Sequence, residues 1–247
     1  MMAGAITETA AVLRERIAAI AAHALEASPD DIVLADGRAT VQGSPSAGLT
    51  LAEIADLAYF GKDTLPADIP MGLEATARYR SDAFSVWANA THVCTCEVDV
   101  ETGEVTLLRY VVAEDCGPMI NPNVVEGQIA GGTVQGIGGA LLEHFPWDDD
   151  GNPLATTFVD YLLPTTTEVP TIEYGHVEGS PGPGPGGYKG VGEGGAIGAP
   201  AAVINAVADA LAPFGVVITR LPVTPAAIVS LIEGARGDAA TAAEDTP

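Results

Sequence analysis

Positive charge is scarce in this sequence. Its 247 residues carry 10 Lys+Arg against 33 Asp+Glu, a net charge of −23. Nucleic acid and anionic membrane surfaces recruit proteins through clustered cations, so this balance excludes both as partners. Cysteine is scarcer still, at Cys94, Cys96 and Cys116. An odd count without a Cys-x-x-Cys pair excludes a disulfide framework and fits a reducing, cytoplasmic compartment. No run of 18 apolar residues free of charge occurs, so no membrane span is expected. The N-terminal stretch MMAGAITETAAVLRERI has no basic segment ahead of an apolar one, so no secretory leader is read there.

Glycine is plentiful, 29 residues in all, and densest in Gly182–Gly198, GPGPGGYKGVGEGGAIG. Glycines ahead of a helix let backbone approach a bound group closely and aim N–H groups at it. The helix start is expected at Ala199-Pro200, since proline suits the first helical position. One carboxylate, Glu193, stands between Gly192 and Gly194. A lone carboxylate in such a place is a candidate general base; the plainer reading is a flexible loop with a solvated glutamate. Gly190 to Gly195 also matches GxGxxG. A dinucleotide fold, however, needs a strand before that motif and an acidic residue closing the next strand. Here a proline-glycine loop precedes it and Asp209 falls inside the following helix, so a nicotinamide site is rejected.

The rest of the chain alternates helix and strand signals. A helix is expected over 7–27, and a hairpin about Asp36-Gly37. Thr50 and Glu53 form a capping box opening a helix over 51–60. Residues 83–100 make the clearest strand: Phe84, Val86, His92, Cys94, Cys96 and Val98 share one parity, Ser85, Asn89, Thr91 and Glu97 the other. A second strand returns over 105–113. His92, Cys94 and Cys96 are better read as core residues than as metal ligands, since zinc pairs favour wider spacing. Residues 124–144 have helical apolar spacing but hold six glycines, each costing about 1 kcal/mol relative to alanine. Backbone or a ligand packed closely on that helix would account for them, and Gln128 and Gln135 could hydrogen-bond such a ligand. A further strand is expected over 168–177, a helix over 199–213, a strand over 215–223 and a last helix over 224–232.

Taken in order, Asp115-Cys116-Gly117, Asn121-Pro122, Glu126-Gly127-Gln128-Ile129, Gln135-Gly136, Asp160-Tyr161-Leu162-Leu163-Pro164 and Lys189-Gly190-Val191-Gly192-Glu193 resemble a known pattern. It is that of the C-terminal third of the molybdenum-binding large subunit of the xanthine dehydrogenase, aldehyde oxidase and aerobic carbon monoxide dehydrogenase family. The resemblance runs from Gly4 to Gly234 and looks most like the carbon monoxide dehydrogenase-type subunit. It implies that Glu193 is the general base beside molybdenum, taking the proton from a Mo–OH group. Gln128 would approach the pterin, and Lys189, Gly190, Val191 and Gly192 would line it. No residue here would ligate the metal directly. The implied cofactor is molybdenum with molybdopterin, as the cytosine dinucleotide, with FAD and [2Fe-2S] clusters on partner subunits.

The family's large subunit is much longer than this chain. Either that subunit is split into separate polypeptides or this sequence is a truncated gene or fragment. In the split case the resemblance implies a partner chain carrying the N-terminal part, and in either case flavin and iron–sulfur subunits and a small-molecule substrate of aldehyde, heterocycle or carbon monoxide type. The expected fold is α+β, with mixed or antiparallel sheets and packed helices. It divides into a subdomain over 1–120 with long antiparallel strands, a cofactor-facing subdomain over 121–235, and a disordered tail over 236–247. The competing reading is a non-catalytic remnant or assembly module of the same family.

Overall fold

The computed structural model describes residues 2–81 and 86–244, with 237–244 as backbone only. Contacts divide the chain into two compact units, residues 1–84 with 183–185, and residues 85–182 with 186–247.

In the first unit, helix α1 (Met2–Ala24) is followed by strands β1 (Ile32–Ala35), β2 (Arg38–Val41) and β3 (Ser44–Thr50), antiparallel in that order, and by helix α2 (Leu51–Phe60). Asp36 and Gly37 turn between β1 and β2 with φ of 50° and 72°. Positive φ at both positions matches the right-handed twist of the flanking strands. The capping box forms as expected: Glu53 N–H donates to Thr50 Oγ1 at 3.2 Å, and Thr50 N–H donates to Glu53 Oε2 at 2.8 Å. Ile20, Ala21, Ala39, Ile54 and Ala58 make the core. Strand β3 is not anticipated by the sequence pattern, because Pro45 and Gly48 break it; a Cβ at Gly48 would stand 2.7 Å from Ala39 O, so this pairing needs glycine.

In the second unit, β4 (Asn89–Val98) and β5 (Val105–Asp115) are antiparallel, and β6 (Ile172–His176) lies parallel to β5 on its other side. The expected start of the first strand, with Phe84 and Ser85, lies outside the described residues. The parity of β4 holds despite a register shift between Thr95 and Cys96: His92, Cys94, Cys96 and Val98 are half-buried while their neighbours are exposed. The exposed face carries a bidentate Arg109–Glu173 pair.

The buried face is covered by helices α3 (Pro122–Leu141) and α4 (Gly194–Leu211), and α5 (Pro225–Glu244) adds Ile228 and Ile232 to the same core. Asn121 caps α3, its Oδ1 accepting from Val124 N–H at 3.3 Å, and Pro122 takes the first helical position.

From the sequence a boundary is expected near residue 120 and a cofactor-facing subdomain over 121–235. The division falls instead at residues 84 and 85, because β4 and β5 share one core with α3 and α4. Helix α4 begins at Gly194, five residues before its expected start, so Pro200 lies inside the helix. Residues 215–223 form no strand among the described residues. Gly215 is left-handed, Leu221-Pro222 is cis, and Val223 N–H donates to Ala140 O at 2.7 Å.

The expected tail continues α5 as helical backbone to Glu244, with residues 245–247 outside the described part. Its alanines favour helix more than the reading as a polar tail allowed. Among the described residues Gly194–Phe214 is the one helical stretch long and apolar enough to cross a membrane, with mean hydropathy 1.5. Its Ala199, Val203, Val207 and Leu211 stripe is spent on the core of the unit.

Candidate active site

The loop carrying Glu193 is held from below by the end of β5. Three consecutive residues there grip its two ends. Asp115 Oδ2 accepts from Lys189 Nζ at 2.8 Å, and the two side chains are only 13% and 7% exposed. Cys116 O accepts from Lys189 N–H at 2.8 Å. The carboxyl of Glu114 lies against Gly194, where any added Cβ would collide with it. The Lys189 ammonium, helped by Gly117 N–H, holds the Asp115 carboxyl below the usual carboxylate range.

From β4, His92 reaches the same backbone. Its Nε2 is 3.0 Å from Gly194 O, and its Nδ1 is 2.9 Å from the Tyr110 hydroxyl. A carbonyl can only accept, so Nε2 carries the proton and Nδ1 accepts from Tyr110. Burial pushes the Tyr110 hydroxyl pKa well up, which keeps that donor protonated. His92 is thus the hydrogen-bonded core histidine expected from its parity, and it also anchors the first residue of α4. The cysteines beside it are apolar filling; burial pushes the Cys94 thiol up to about 11. Among the described residues no group of three or more His, Cys, Asp or Glu could hold a metal ion.

Glu193 occupies the N-cap position of α4 and is exposed, yet its side chain makes no capping hydrogen bond. This chain's described residues leave it open to solvent. It opens on a groove of about 440 Å³ lined by Trp87, Asn89, His92, Gly190 and Ile197 among others. Beside it, a Cβ on Gly192 would come within 3.9 Å of Gln128 Oε1. Gly190, Gly192 and Gln128 are exposed, whereas Val191 packs partly on the core. Lys189 turns the other way: its ammonium is taken by Asp115 at the end of β5 and its N–H by Cys116, the next residue.

Five of the six glycines of α3 sort onto two faces, while the sixth, Gly138, is buried where a Cβ would meet Glu143 and Pro164. Gly132 and Gly136 pack against the backbone and small side chains of α4, where a Cβ would stand 2.8 Å from Ala196 N and 2.9 Å from Pro200 Cδ respectively. Gly127, Gly131 and Gly139 meet nothing within 4 Å. Val124, Gly127, Gln128, Gly131 and Gln135 therefore form an exposed stripe, bare of side-chain bulk between its amides.

The structure places Gly192 near the Gln128 amide, with Glu193 next to it in the chain, and turns Lys189 away. Glu114 and Tyr110 were missed from the sequence as site residues. A signal for Glu114 was present, since it shares the parity of Tyr110 and Val112, which are both fully buried.

A protein-family model described as a molybdopterin cofactor-binding domain matches residues 1–170. This chain belongs to that family, found in the molybdenum-binding large subunits of multi-subunit oxidoreductases. It is similar to the nicotine 6-hydroxylase large subunit of Paenarthrobacter nicotinovorans, 42% identical over 94% of this chain and 28% of that subunit. It is also similar to the carbon monoxide dehydrogenase large chain of Hydrogenophaga pseudoflava, 37% identical over 89% of this chain and 27% of the relative. Among solved structures, quinoline 2-oxidoreductase from Pseudomonas putida 86 superposes with a TM-score of 0.78 at 46% identity, covering 91% of this chain and 28% of that one. A Cu,Mo-CO dehydrogenase superposes with a TM-score of 0.76 at 30% identity, over 94% and 28% of the two chains. The chain spans less than a third of the length of each of these relatives.

Proposed function

We propose that this chain is the C-terminal portion of the catalytic subunit of a molybdopterin-dependent hydroxylase acting on a nitrogen-containing heteroaromatic ring, with Glu193 as its general base. The observation that carries the reading is the state of Glu193. It sits where a residue normally caps the helix, makes no capping hydrogen bond, and is exposed on an open groove, next in the chain to Gly192, whose position the Gln128 amide approaches.

The surface fits a flat organic cofactor. Where Cβ atoms would stand on Gly127, Gly131 and Gly190 there is open space, and the backbone around Gly190 and Gly192 is exposed between two polar side chains. Gln128 would hydrogen-bond the pterin, and Gly190 to Gly192 would let it approach the backbone. Lys189 acts one layer below, holding the loop rather than touching the cofactor. Bound molybdenum supplies the two-electron redox chemistry. Glu193 accepts the proton released during substrate oxidation, a role general bases fulfil with gains of about 10²–10⁴-fold.

The substrate class is favoured by identity, which is higher to the quinoline and nicotine enzymes than to either carbon monoxide dehydrogenase. The cytosine dinucleotide form of the cofactor, FAD and [2Fe-2S] on partner subunits, and a chain supplying the rest of the large subunit belong to the same proposal. Exposed Phe158, Val159 and Ile197 support a surface covered by the remainder of the large subunit. Residues 121–235 would contribute the cofactor-facing part. Three free thiols are in keeping with a reducing cytosol.

The test is to co-express this chain with the remainder of the large subunit and its flavin and iron–sulfur partners. Molybdenum and cytidine nucleotide are then assayed, along with turnover of quinoline and of nicotine. Near-stoichiometric metal and heterocycle oxidation are expected, with Glu193→Gln keeping the metal and losing at least about 100-fold in kcat. Oxidation of carbon monoxide but of neither heterocycle would overturn the substrate class. A complex without molybdenum would leave a non-catalytic member of the family.

A further inference from the structure

The site contains a second carboxyl group. Glu114 is 0% exposed, and among the described residues neither of its oxygens has a hydrogen-bond partner. It lies directly under Gly194, so close that a Cβ there would have to displace the Glu114 carboxyl. From β4, His92 holds the Gly194 carbonyl at 3.0 Å. Gly194 is therefore gripped by side chains from two paired strands, and it follows Glu193 in the chain. Glu193 O in turn accepts from Ala196 and Ile197 N–H at 3.0 and 3.1 Å, so the first turn of α4 is fixed through these two residues.

We infer that Glu114, held as an uncharged acid beneath Gly194, is a positioning residue that sets where the backbone of Glu193 stands. This inference rests on the reading of Glu193 as the base, and deepens it. Among the described residues no hydrogen-bond donor reaches either oxygen of Glu114 to stabilise a negative charge. Asp115 follows it on the same strand as an anion already committed to Lys189, and Cys116 carries a raised, neutral thiol. His92 on β4 is bound on both nitrogens. His176, registered opposite on β6, has neither ring nitrogen paired. Glu193, an acid, opens the helix above. A buried carboxylate without hydrogen bonds is strongly disfavoured, whereas a buried carboxylic acid of the same shape is tolerated.

Burial, with Asp115 adding to it, raises the Glu114 pKa above the ordinary 4.5. The folded chain thus binds this proton more tightly than the unfolded chain does. Its contribution to stability is complete below pH 4.5 and is lost progressively as pH climbs toward the folded value. Above that range the carboxylate has to find water or charge compensation, and the turn holding Glu193 moves with it.

The test compares thermal unfolding of the full chain as wild type, Glu114→Gln and Glu114→Met from pH 5 to 9. Glutamine and methionine keep the length of the side chain and cannot ionise. The wild type is expected to lose Tm relative to both variants as pH rises. A difference that stays constant across the range would overturn the inference, and the methionine variant decides it if the glutamine amide prevents folding. In the assembled enzyme, Glu114→Gln is expected to flatten the alkaline limb of kcat against pH; an alkaline limb identical in wild type and variant would also overturn it. If Glu193→Gln stays active, the base assignment falls, while the unfolding comparison still decides the state of Glu114.

Discussion

At the scale of single residues, the Asp115–Lys189 pair shows how one contact serves two elements. Lys189 is the cation of the glycine-rich loop, and the family resemblance puts it along the cofactor. Its position in space assigns it to Asp115, where a hydrogen-bonded pair is 7% and 13% exposed. Replacing Lys189 by methionine strands a mostly buried carboxylate, which is destabilising while that carboxylate is charged. The Asp115 pKa lies below its ordinary 3.8, so the pair's stability is present above that pH and fades as pH falls through the lower, folded value. Lys189→Met is therefore expected to lower Tm at pH 7, with the difference from wild type shrinking toward pH 3. Thermal scans at the two pH values check this. Asp115, Lys189 and Glu193 were all visible in the sequence; which of them faces which was not, because 74 residues separate the partners of the ion pair.

Between elements, the decisive feature is the contact of α3 with α4. Six glycines in one helix would leave it weak by propensity alone, yet Gly132 and Gly136 let the two backbones approach so closely that branched side chains are excluded. Gly136→Val is expected to destabilise the chain by about 1–3 kcal/mol through overpacking. Gly127 stands in open space, so Gly127→Ala is expected to be neutral or to stabilise the isolated chain by up to about 1 kcal/mol through helix propensity. Urea unfolding of both variants measures the contrast. In the assembled enzyme Gly127→Ala is expected to reduce molybdenum content instead, since its Cβ enters the open face proposed to meet the cofactor. Need for close approach was legible in the glycine count of α3. Which glycines meet protein and which meet open space depends on the rotation of the helix about its axis, and its weak amphipathic pattern does not fix that rotation. The start of α4 was misplaced for a related reason: Pro200 is tolerated inside the helix where Gly136 leaves room for its ring.

For the molecule as a whole, charge and length set the behaviour. A net charge of −23 on 247 residues is self-repelling. Raising ionic strength from about 0.01 to 0.1 M shortens the screening length from about 30 to about 10 Å. The Tm of the chain is accordingly expected to rise with sodium chloride over that range, and a flat or falling Tm in a salt series would show that attractive pairs outweigh repulsion. The units also differ in how much of them was legible. In the first, the Asp36-Gly37 turn and the Thr50–Glu53 box are local devices, and both form as read. In the second, β6 runs parallel to β5 after a long crossover, which nothing in residues 172–176 announces.

By itself the sequence determined the local signals and the family: the hairpin, the capping box, the alternation of β4, and the ordered motifs from Asp115 to Glu193. These depend on neighbours within a few residues, or on the order of motifs along the chain. Only the tertiary structure decided that Glu114, Asp115 and Cys116 act together as the clamp on the Glu193 loop, that His92 anchors Gly194 across 102 residues, and that Glu193 itself stands free. The physical reason is that such contacts are set by how a sheet and two glycine-rich helices stack. Stacking brings together residues whose separation in sequence carries no trace of their distance in space.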